Sequence, residues 1–360
     1  MELNIANILL MTRHMIKRLL RRFLLLGVLS LLAVYLFITI ARNFRLDSET
    51  DLSKRSEGYG NGRVSSSLLR SNSLLASQDQ TFLVACILSA PSNSRQRQAA
   101  RDSWMKLSHG PEIAGVNVLP LFVLGGEGLG EDISQTLSKE MEAFSDLLIL
   151  DNLVDSYANL TLKIIHAYSW IDSNIKPRYV LKMDDDSFAR IDLIGEELRT
   201  SLSSYERLYW GFFDGRARPF KKGKWSEKTW NLCDLYIPYA LGGGYVVSGN
   251  LVSHVARNAA DLRLFFNEDV AMGTWMAPLD VYRKHDPRFD TEFKSRGCFS
   301  TYLVTHKQTA DMLKSKYENL VQTGSICGGP QYEFRSRMSY DYNWTVPPSQ
   351  CCHRGKNNLP

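Results

Sequence analysis

Three consecutive carboxylates, Asp184 to Asp186, end a short apolar run that begins at Tyr179. Like charges this close together repel one another unless a cation lies among them. Carboxylate oxygens suit Mg²⁺ or Mn²⁺, which often bind substrate phosphates as well. A solvated acidic turn is the alternative, but the apolar run ties the carboxylates to a buried strand. The pattern therefore indicates a divalent-metal site at a strand end, where open α/β sheets bind ligands.

Two arginines, Arg97 and Arg101, lie four residues apart on one face of a predicted helix that follows the first predicted strand. Guanidinium groups in that position suit a diphosphate. The alternative is a basic helix face that only meets water.

An acidic pair, Glu268–Asp269, begins another predicted helix. Carboxylates there are favoured by the helix dipole, so capping explains them without any function. The functional interpretation is a general base beside an acceptor hydroxyl. His306 ends a short predicted strand, where a single histidine is usually structural.

Aromatic residues crowd the run from Arg207 to Phe213, and three glycines occupy 242–244. Aromatic faces bind sugar rings, although aromatic strands are more often core. Consecutive glycines allow either a close backbone approach or a sharp turn.

The elements that must position these residues alternate along the chain. Apolar runs predict strands at 81–90, 118–124, 147–150, around 179–183, and at 207–213, 238–248 and 302–307. Helical spacing predicts helices at 95–104, 131–144, 157–171, 193–202 and 268–276. This alternation indicates an α/β fold with a mostly parallel sheet and flanking helices.

The N-terminal segment predicts a membrane anchor. Residues 23–41 form an uncharged apolar run long enough to span a bilayer, and a basic cluster precedes it. The positive-inside rule places residues 1–22 in the cytosol and the rest of the chain in the lumen. A cleaved signal peptide is the less favoured alternative. Residues 42–79 are polar and predict a flexible stem, which leaves 80–360 as the globular domain.

Composition is that of an ordinary globular protein, 44% hydrophobic and 22% charged. The net charge of +5 owes much to the N-terminal cluster, so it gives little support to a nucleic-acid partner. Six cysteines suit disulfides in a lumenal domain, Cys86 could be a free buried thiol, and a disulfide is expected to hold the tail. The sequons at Asn159 and Asn343 predict glycan acceptors.

Together the motifs resemble the inverting β-1,3-glycosyltransferases, the family that contains the β-1,3-galactosyltransferases. The matching segments, in family order, are RQAARDSW, YANLTLK, VLKMDDDSF, YALGGGYVVS and EDV. Further segments resemble the members that add the second galactose of the glycosaminoglycan–protein linkage tetrasaccharide: RLYWGFF, WNLCDLYIPYALGGGYV, DPRFDTE, SRGC, YLVTHKQ and PPSQCC.

The resemblance implies a GT-A-type fold, UDP-galactose as donor and Mn²⁺ as cofactor. It makes Asp269 the catalytic base. The implied metal ligands are Asp184, Asp186 and His306. The implied donor-binding residues are Arg97, Arg101, Lys182, Asp184 and Asp185. The candidates for acceptor contacts are Tyr209, Trp210, Tyr239, Gly243, Tyr245 and Glu268.

The resemblance also implies a Golgi type II membrane protein acting on a galactosyl-xylosyl core protein in heparan and chondroitin sulfate synthesis. A homo-oligomer or a complex with other linkage-region transferases is a further expectation. Two alternatives stay open: a related β-1,3-N-acetylglucosaminyl- or galactosyltransferase on another acceptor, and a non-catalytic lumenal carbohydrate-binding protein of the same fold. A nucleotide-sugar hydrolase is weaker, because the sequence has no second acidic metal cluster.

Overall fold

The computed structural model describes residues 81–109, 116–333, 340–347 and 349–354. The predicted tail, anchor and stem lie outside the described residues. Among the helices that are described, none combines the length and the apolar character needed to cross a membrane.

The main element is a seven-stranded mixed sheet. Its strands are β1 (Leu83–Leu88), β2 (Val118–Gly125), β3 (Leu147–Leu150), β4 (Tyr179–Asp184), β6 (Leu208–Asp214), β7 (Tyr239–Ser248) and β8 (Tyr282–His285), in the spatial order β3-β2-β1-β4-β7-β6-β8. Strand β7 pairs antiparallel with both β4 and β6, whereas the other neighbours pair in parallel. The prediction of an α/β fold with a mostly parallel sheet is therefore confirmed, with one reversed strand, β7, between β4 and β6.

A small second sheet contacts strands β6 and β7 of the main sheet. It contains β5 (Phe188–Ala189), β9 (Phe289–Asp290) and β11 (Val304–Thr305), in the order β5-β11-β9. Two short pairs of strands are also present: β10 (Gly297–Cys298) with β12 (Tyr332–Glu333), and β13 (Tyr340–Tyr342) with β14 (Cys352–Arg354).

The helices are α1 (Ser94–Asp102), α2 (Glu131–Ala143), α3 (Leu160–Asn174), α4 (Ile191–Arg199), α5 (Gly249–Arg257), α6 (Glu268–Met276) and α7 (Ala310–Thr323), with 3₁₀ turns at Trp104–His109 and Tyr157–Asn159. Helix α3 packs against α5 and α6, and α1 packs against α7. All six residues of β1 are buried, because the sheet is covered on both faces. Alternate β1 residues join one core cluster with residues of α1 and the turn after it: Leu83, Ala85, Ile87, Ala99, Ala100 and Trp104.

Most element bounds agree with prediction to within a few residues, and two details differ. The predicted helix at 157–171 begins with a 3₁₀ turn and continues to Asn174. Helix α4, predicted at 193–202, begins at Ile191 and ends at Arg199, and Asp192 in its first turn pairs with Arg190.

Two disulfides lie in the C-terminal part. Cys298 bonds to Cys327 across 29 residues, and Cys351 bonds to its neighbour Cys352. Cys86 is a buried free thiol, and burial raises its pKa to about 12 despite the opposing charge of Lys182. Cys233 is free and exposed.

Candidate active site

The candidate metal cluster forms where β4 ends. Asp184, Asp186 and His306 each offer one ligand atom, and these atoms all lie within 4.8 Å of one another. Asp186 Oδ1 lies 2.9 Å from His306 Nε2, and neither atom has a hydrogen-bond partner among the residues that are described. Two carboxylates and an imidazole form a donor set that a divalent cation can satisfy. The predicted ligands are therefore together, on two elements far apart in the chain.

Electrostatics at this cluster favours positive charge. Burial lowers the pKa of His306, but its contacts with Asp184 and Asp186 outweigh that effect and raise the pKa to about 9. For Asp184, burial acts against the anion, yet Lys182 and His306 lower its pKa well below the usual range. The cluster thus contains two ionised carboxylates, and its surroundings favour a positive charge at the position of the imidazole. Both features suit a bound metal ion.

The three glycines at 242–244 lie within strand β7, not in a turn. A Cβ on Gly243 would lie 2.6 Å from His306 Nδ1, and one on Gly244 would lie 2.9 Å from a Val304 methyl. A Cβ on Gly242 would lie 3.3 Å from Asp269 Oδ2. Glycine therefore lets both the metal ligand and the candidate base approach the same strand. Gly243 makes room for the histidine ring, which is a different role from the predicted acceptor contact.

Asp269 lies in the first turn of α6, held by two backbone amides. Its Oδ2 accepts a hydrogen bond from Gly242 N at 3.1 Å, and its Oδ1 accepts one from Val270 N at 2.9 Å. Burial, together with the charge of Glu268, raises the pKa of Asp269 to about 6, although Lys182 acts in the opposite direction. A carboxylate with that pKa is matched to general-base work near neutral pH.

Beside the base, Lys182 and Glu268 form a buried ion pair. Lys182 Nζ lies 2.7 Å from Glu268 Oε2 and 3.2 Å from Asp184 Oδ1, and it donates to Gly242 O at 2.7 Å. The Tyr245 hydroxyl donates to Glu268 Oε1 at 2.5 Å. Both carboxylate oxygens of Glu268 are therefore engaged within the protein. Lys182, Glu268 and Tyr245 hold the strand and the helix of the site together. Because all three side chains are buried, they have no exposed surface with which to contact the donor or the acceptor as predicted.

Arg97 and Arg101 bind carboxylates of the protein itself. Arg97 is fully buried and pairs with Glu140 at 2.6 Å, and Arg101 pairs with Glu140 at 2.7 Å and with Asp146 at 2.8 Å. Direct binding of the donor by these two arginines, as predicted, does not fit this geometry, because their guanidinium groups join helices α1 and α2 and the start of β3.

Asp185 lies outside the metal cluster. Its Oδ2 accepts hydrogen bonds from Ser89 Oγ at 2.6 Å and Asn93 Nδ2 at 2.9 Å, and Arg97 donates to the same serine at 3.1 Å. Burial raises the pKa of Asp185, with repulsion from Asp184 and Asp186 added to it. Asp185 therefore ties β4 to the end of β1, and its predicted donor contact stays a prediction.

The predicted aromatic sugar contacts are buried. Tyr209 and Trp210 have no exposed surface; the Tyr209 hydroxyl accepts from Ala240 N at 3.0 Å, and Trp210 Nε1 donates to Asp286 at 2.9 Å. Tyr239 is also buried and packs beside Tyr236. These side chains belong to the core, because β6 and β7 are covered on both faces, so their predicted stacking on an acceptor is wrong.

Sequence reasoning missed Tyr157, although it begins the YANLTLK segment. Its hydroxyl donates to Asn267 Oδ1 at 3.2 Å, and Asn267 precedes the acidic pair. Burial, followed by the charges of Asp269 and Asp184, raises the pKa of Tyr157, so this phenol lies near both the base and the metal cluster.

Lys307 is a second residue at the site that no sequence pattern singled out. It has a positive φ of 62°, and its Nζ lies 3.1 Å from Asp186 Oδ2. A left-handed, non-glycine residue next to a candidate metal ligand is the kind of strained position that clusters at functional sites.

The two sequons lie on loops or turns. Asn159 Nδ2 donates to Val154 O, and exposed Asn343 accepts from the amide and hydroxyl of Thr345. Glycan attachment at both stays a prediction.

Comparisons with known proteins identify relatives of this chain. A family model described as Galactosyltransferase matches residues 95–287. A mouse (Mus musculus) protein named Beta-1,3-galactosyltransferase 6 is 45% identical over 284 residues, which cover 78% of this chain and 85% of the mouse protein. The Arabidopsis thaliana protein named Hydroxyproline O-galactosyltransferase GALT2 is 32% identical, over 67% of this chain and 35% of its own length.

Among solved structures, a glycosyltransferase involved in the glycosylation of the major capsid of PBCV-1 aligns with a TM-score of 0.36. The alignment has 12% identity and covers 66% of this chain and 98% of that one.

Proposed function

The chain belongs to the galactosyltransferase family and is a glycosyltransferase, and we propose that it transfers galactose from UDP-galactose to the 3-hydroxyl of a galactosyl-β-1,4-xylosyl acceptor on a core protein. This reaction adds the second galactose of the glycosaminoglycan linkage tetrasaccharide, on which heparan and chondroitin sulfate are built. The observation that carries the proposal is the 45% identity with the mouse β-1,3-galactosyltransferase over 85% of its length.

The proposed reaction is a single displacement with inversion. Asp269 Oδ2, oriented by the Gly242 amide, takes the proton from the acceptor hydroxyl as that oxygen attacks the anomeric carbon. The bond to UDP breaks on the opposite face, so an α-linked donor gives a β-linked product. No protein nucleophile is needed, and the Lys182–Glu268 pair holds the helix that carries the base against strand β4.

The proposed cofactor is Mn²⁺, held by Asp184, Asp186 and His306, whose donor atoms fit a divalent cation. When bound, a divalent cation would neutralise the charge that develops on the UDP leaving group. Lys307, paired with Asp186, is placed to add a second positive charge. The mixed sheet with acidic ligands at the end of β4 supports assignment to the GT-A type.

Residues 23–41 are proposed to anchor the chain as a type II protein of the Golgi membrane, with the catalytic domain in the lumen. The lumenal setting is supported by the sequons and by the disulfides. We include in the proposal a homo-oligomer or a complex with other transferases of the linkage region.

Another acceptor is the main alternative, because the plant relative carries a name that specifies hydroxyproline. The test is a comparison of acceptors with the full-length chain in detergent, UDP-galactose and Mn²⁺. Preferred transfer to galactosyl-β-1,4-xyloside supports the proposal. Preferred transfer to β-linked N-acetylglucosamine or to a hydroxyproline peptide would keep the family and reject this acceptor. Binding of UDP without transfer to any acceptor would favour the non-catalytic alternative.

A further inference from the structure

An exposed group of aromatic rings lies beside the candidate active site. It consists of Phe220, Trp225 and Phe293, which we call the aromatic platform. Phe220 is 48% exposed and Phe293 is 61% exposed, and Trp225 lies between them with ring centroids 5.9 and 5.0 Å away. Large apolar side chains grouped on a surface in this way mark binding sites more often than scattered ones do.

The loop that carries Phe220 and Trp225 is fixed to the segment that carries the base. Buried Glu227 accepts a hydrogen bond from Phe266 N at 2.6 Å. Asn267 Nδ2 donates to Trp225 O at 3.1 Å. Because Asn267 directly precedes Glu268 and Asp269, the position of Trp225 relative to the base is set by the protein and not by the ligand.

Phe293 comes from the segment on the metal side of the site. Strand β9 pairs with β11, and Asp290 O accepts a hydrogen bond from His306 N at 3.0 Å. The Asp290 carboxylate also accepts from Ser295 Oγ and Arg296 N, which fixes the turn between them. The platform therefore joins the segment of the base to the segment of the candidate metal ligand.

The chemistry around the platform favours a sugar as its occupant. Exposed Lys221, Lys222 and Lys224 lie on the same loop, and Lys224 Nζ lies 4.6 Å from the centre of the Tyr157 ring. A purely apolar partner would have to cover these ammonium groups at a cost. A pyranose suits both features, because its C–H face packs on aromatic rings and its hydroxyls accept hydrogen bonds from amines.

We propose that the aromatic platform binds the second pyranose of the acceptor, the ring bonded to the galactose that receives the new sugar. This assignment rests on the proposed function. It makes the enzyme selective for a disaccharide acceptor over a single galactose, and it moves the role of sugar stacking from fully buried Trp210 to half-buried Trp225, flanked by the two exposed phenylalanines.

The test measures kcat/KM for methyl β-galactoside and for methyl galactosyl-β-1,4-xyloside, with the full-length chain in detergent. Trp225→Ala and Phe293→Ala should each lower kcat/KM for the disaccharide by about tenfold through KM, and leave the monosaccharide unchanged. Trp225→Phe should keep most of the preference. Val321→Ala, at a 66% exposed position on α7, is the control and should change neither value. Unchanged selectivity in both alanine variants would overturn the proposal.

Failure of the proposed function gives a separate result. If the unaltered chain transfers galactose to no acceptor, calorimetric binding of the same two glycosides with UDP and Mn²⁺ replaces the rate. A dissociation constant for the disaccharide that rises about tenfold in both alanine variants supports the platform. Equal binding by the variants and the unaltered chain, or no binding by either, rejects it.

Discussion

The ammonium group of Lys182 lies 2.7 Å from the carboxylate of Glu268, and both side chains are buried. This pair joins the strand that ends in the metal cluster to the helix that carries the base. Buried Lys182 offers no exposed surface to a ligand. Burial disfavours its charged form, but the charges of Asp184 and Glu268 outweigh burial and raise the pKa of Lys182. The two halves of the candidate site are thus joined by this buried ion pair, in addition to the hydrogen bonds that Gly242 and Tyr245 make to Asp269 and Glu268.

Glu268→Gln should destabilise the protein by about 3 kcal/mol, because it leaves a buried ammonium with one fewer carboxylate. The thermal unfolding midpoint measures this loss. Glu196→Gln, at an exposed position on α4, is the matched control and should leave the midpoint unchanged. Adding Lys182→Met to Glu268→Gln should recover part of the loss. Additive effects of the two changes would contradict the coupling.

Gly243→Ala should abolish metal binding, because the new methyl group would lie 2.6 Å from the His306 ring and displace it. Titration with Mn²⁺, followed by the rise in unfolding temperature, measures the effect on binding to the folded chain. Gly130→Ala is the control, since a Cβ there meets open space. A normal response to Mn²⁺ in Gly243→Ala would contradict a metal site that requires the His306 ring in its present position.

The pKa of Asp269, about 6, gives predictions for rate and for stability. Because the base must be ionised, kcat/KM should fall tenfold per pH unit below about pH 6 and level off above it. The folded-state pKa lies above the ordinary value, so this group favours folding at acid pH and opposes it as pH rises through 6. Asp269→Asn should therefore stabilise the fold by roughly 2 kcal/mol at pH 7.5, and by nothing at pH 4.

Exposed Asp261→Asn serves as the control for that comparison and should leave stability unchanged at both pH values. A stabilisation by Asp269→Asn that did not vary with pH would have to come from something other than the loss of a buried charge.

Arg101 and Arg95 lie on the same helix and provide a matched pair. Arg101→Met should destabilise the fold by about 3 kcal/mol, because it leaves the Glu140 and Asp146 carboxylates without this cation. Arg95→Met should cost less than about 1 kcal/mol, since its ion pair with Asp311 is exposed. In both variants KM for UDP-galactose should be unchanged. A large rise in that KM for Arg101→Met would restore the interpretation from sequence, in which this arginine binds the donor.

The sequence predicted what depends on local pattern. Strand β3 and helix α6 have the predicted bounds, and the carboxylates at the end of β4 gather with His306 as expected. Apolar runs and helical spacing are local properties, so they can be recognised without knowing what packs against them.

What the sequence could not give depends on distant partners. The direction of β7 is decided by its pairing with β4 and β6, and the role of Arg97 is decided by Glu140 on another helix. Trp210 lies in an aromatic run of a kind that can contact sugars. It belongs to the core because both faces of its sheet are covered. Trp225 lies in a basic loop that has no helical or strand periodicity. Only its contact with Phe293, which is distant in the sequence, groups the two rings on one surface.

The most direct test of the account compares Asp269→Asn with Asp261→Asn in a single-turnover transfer from UDP-galactose to galactosyl-β-1,4-xyloside, with Mn²⁺ present and UDP binding measured in parallel. We predict a β-1,3-linked product from the control, and for Asp269→Asn a rate lower by at least about 10²-fold with UDP binding retained. Transfer by Asp269→Asn within a factor of ten of the control, or an α-linked product, would contradict a single displacement with Asp269 as its base.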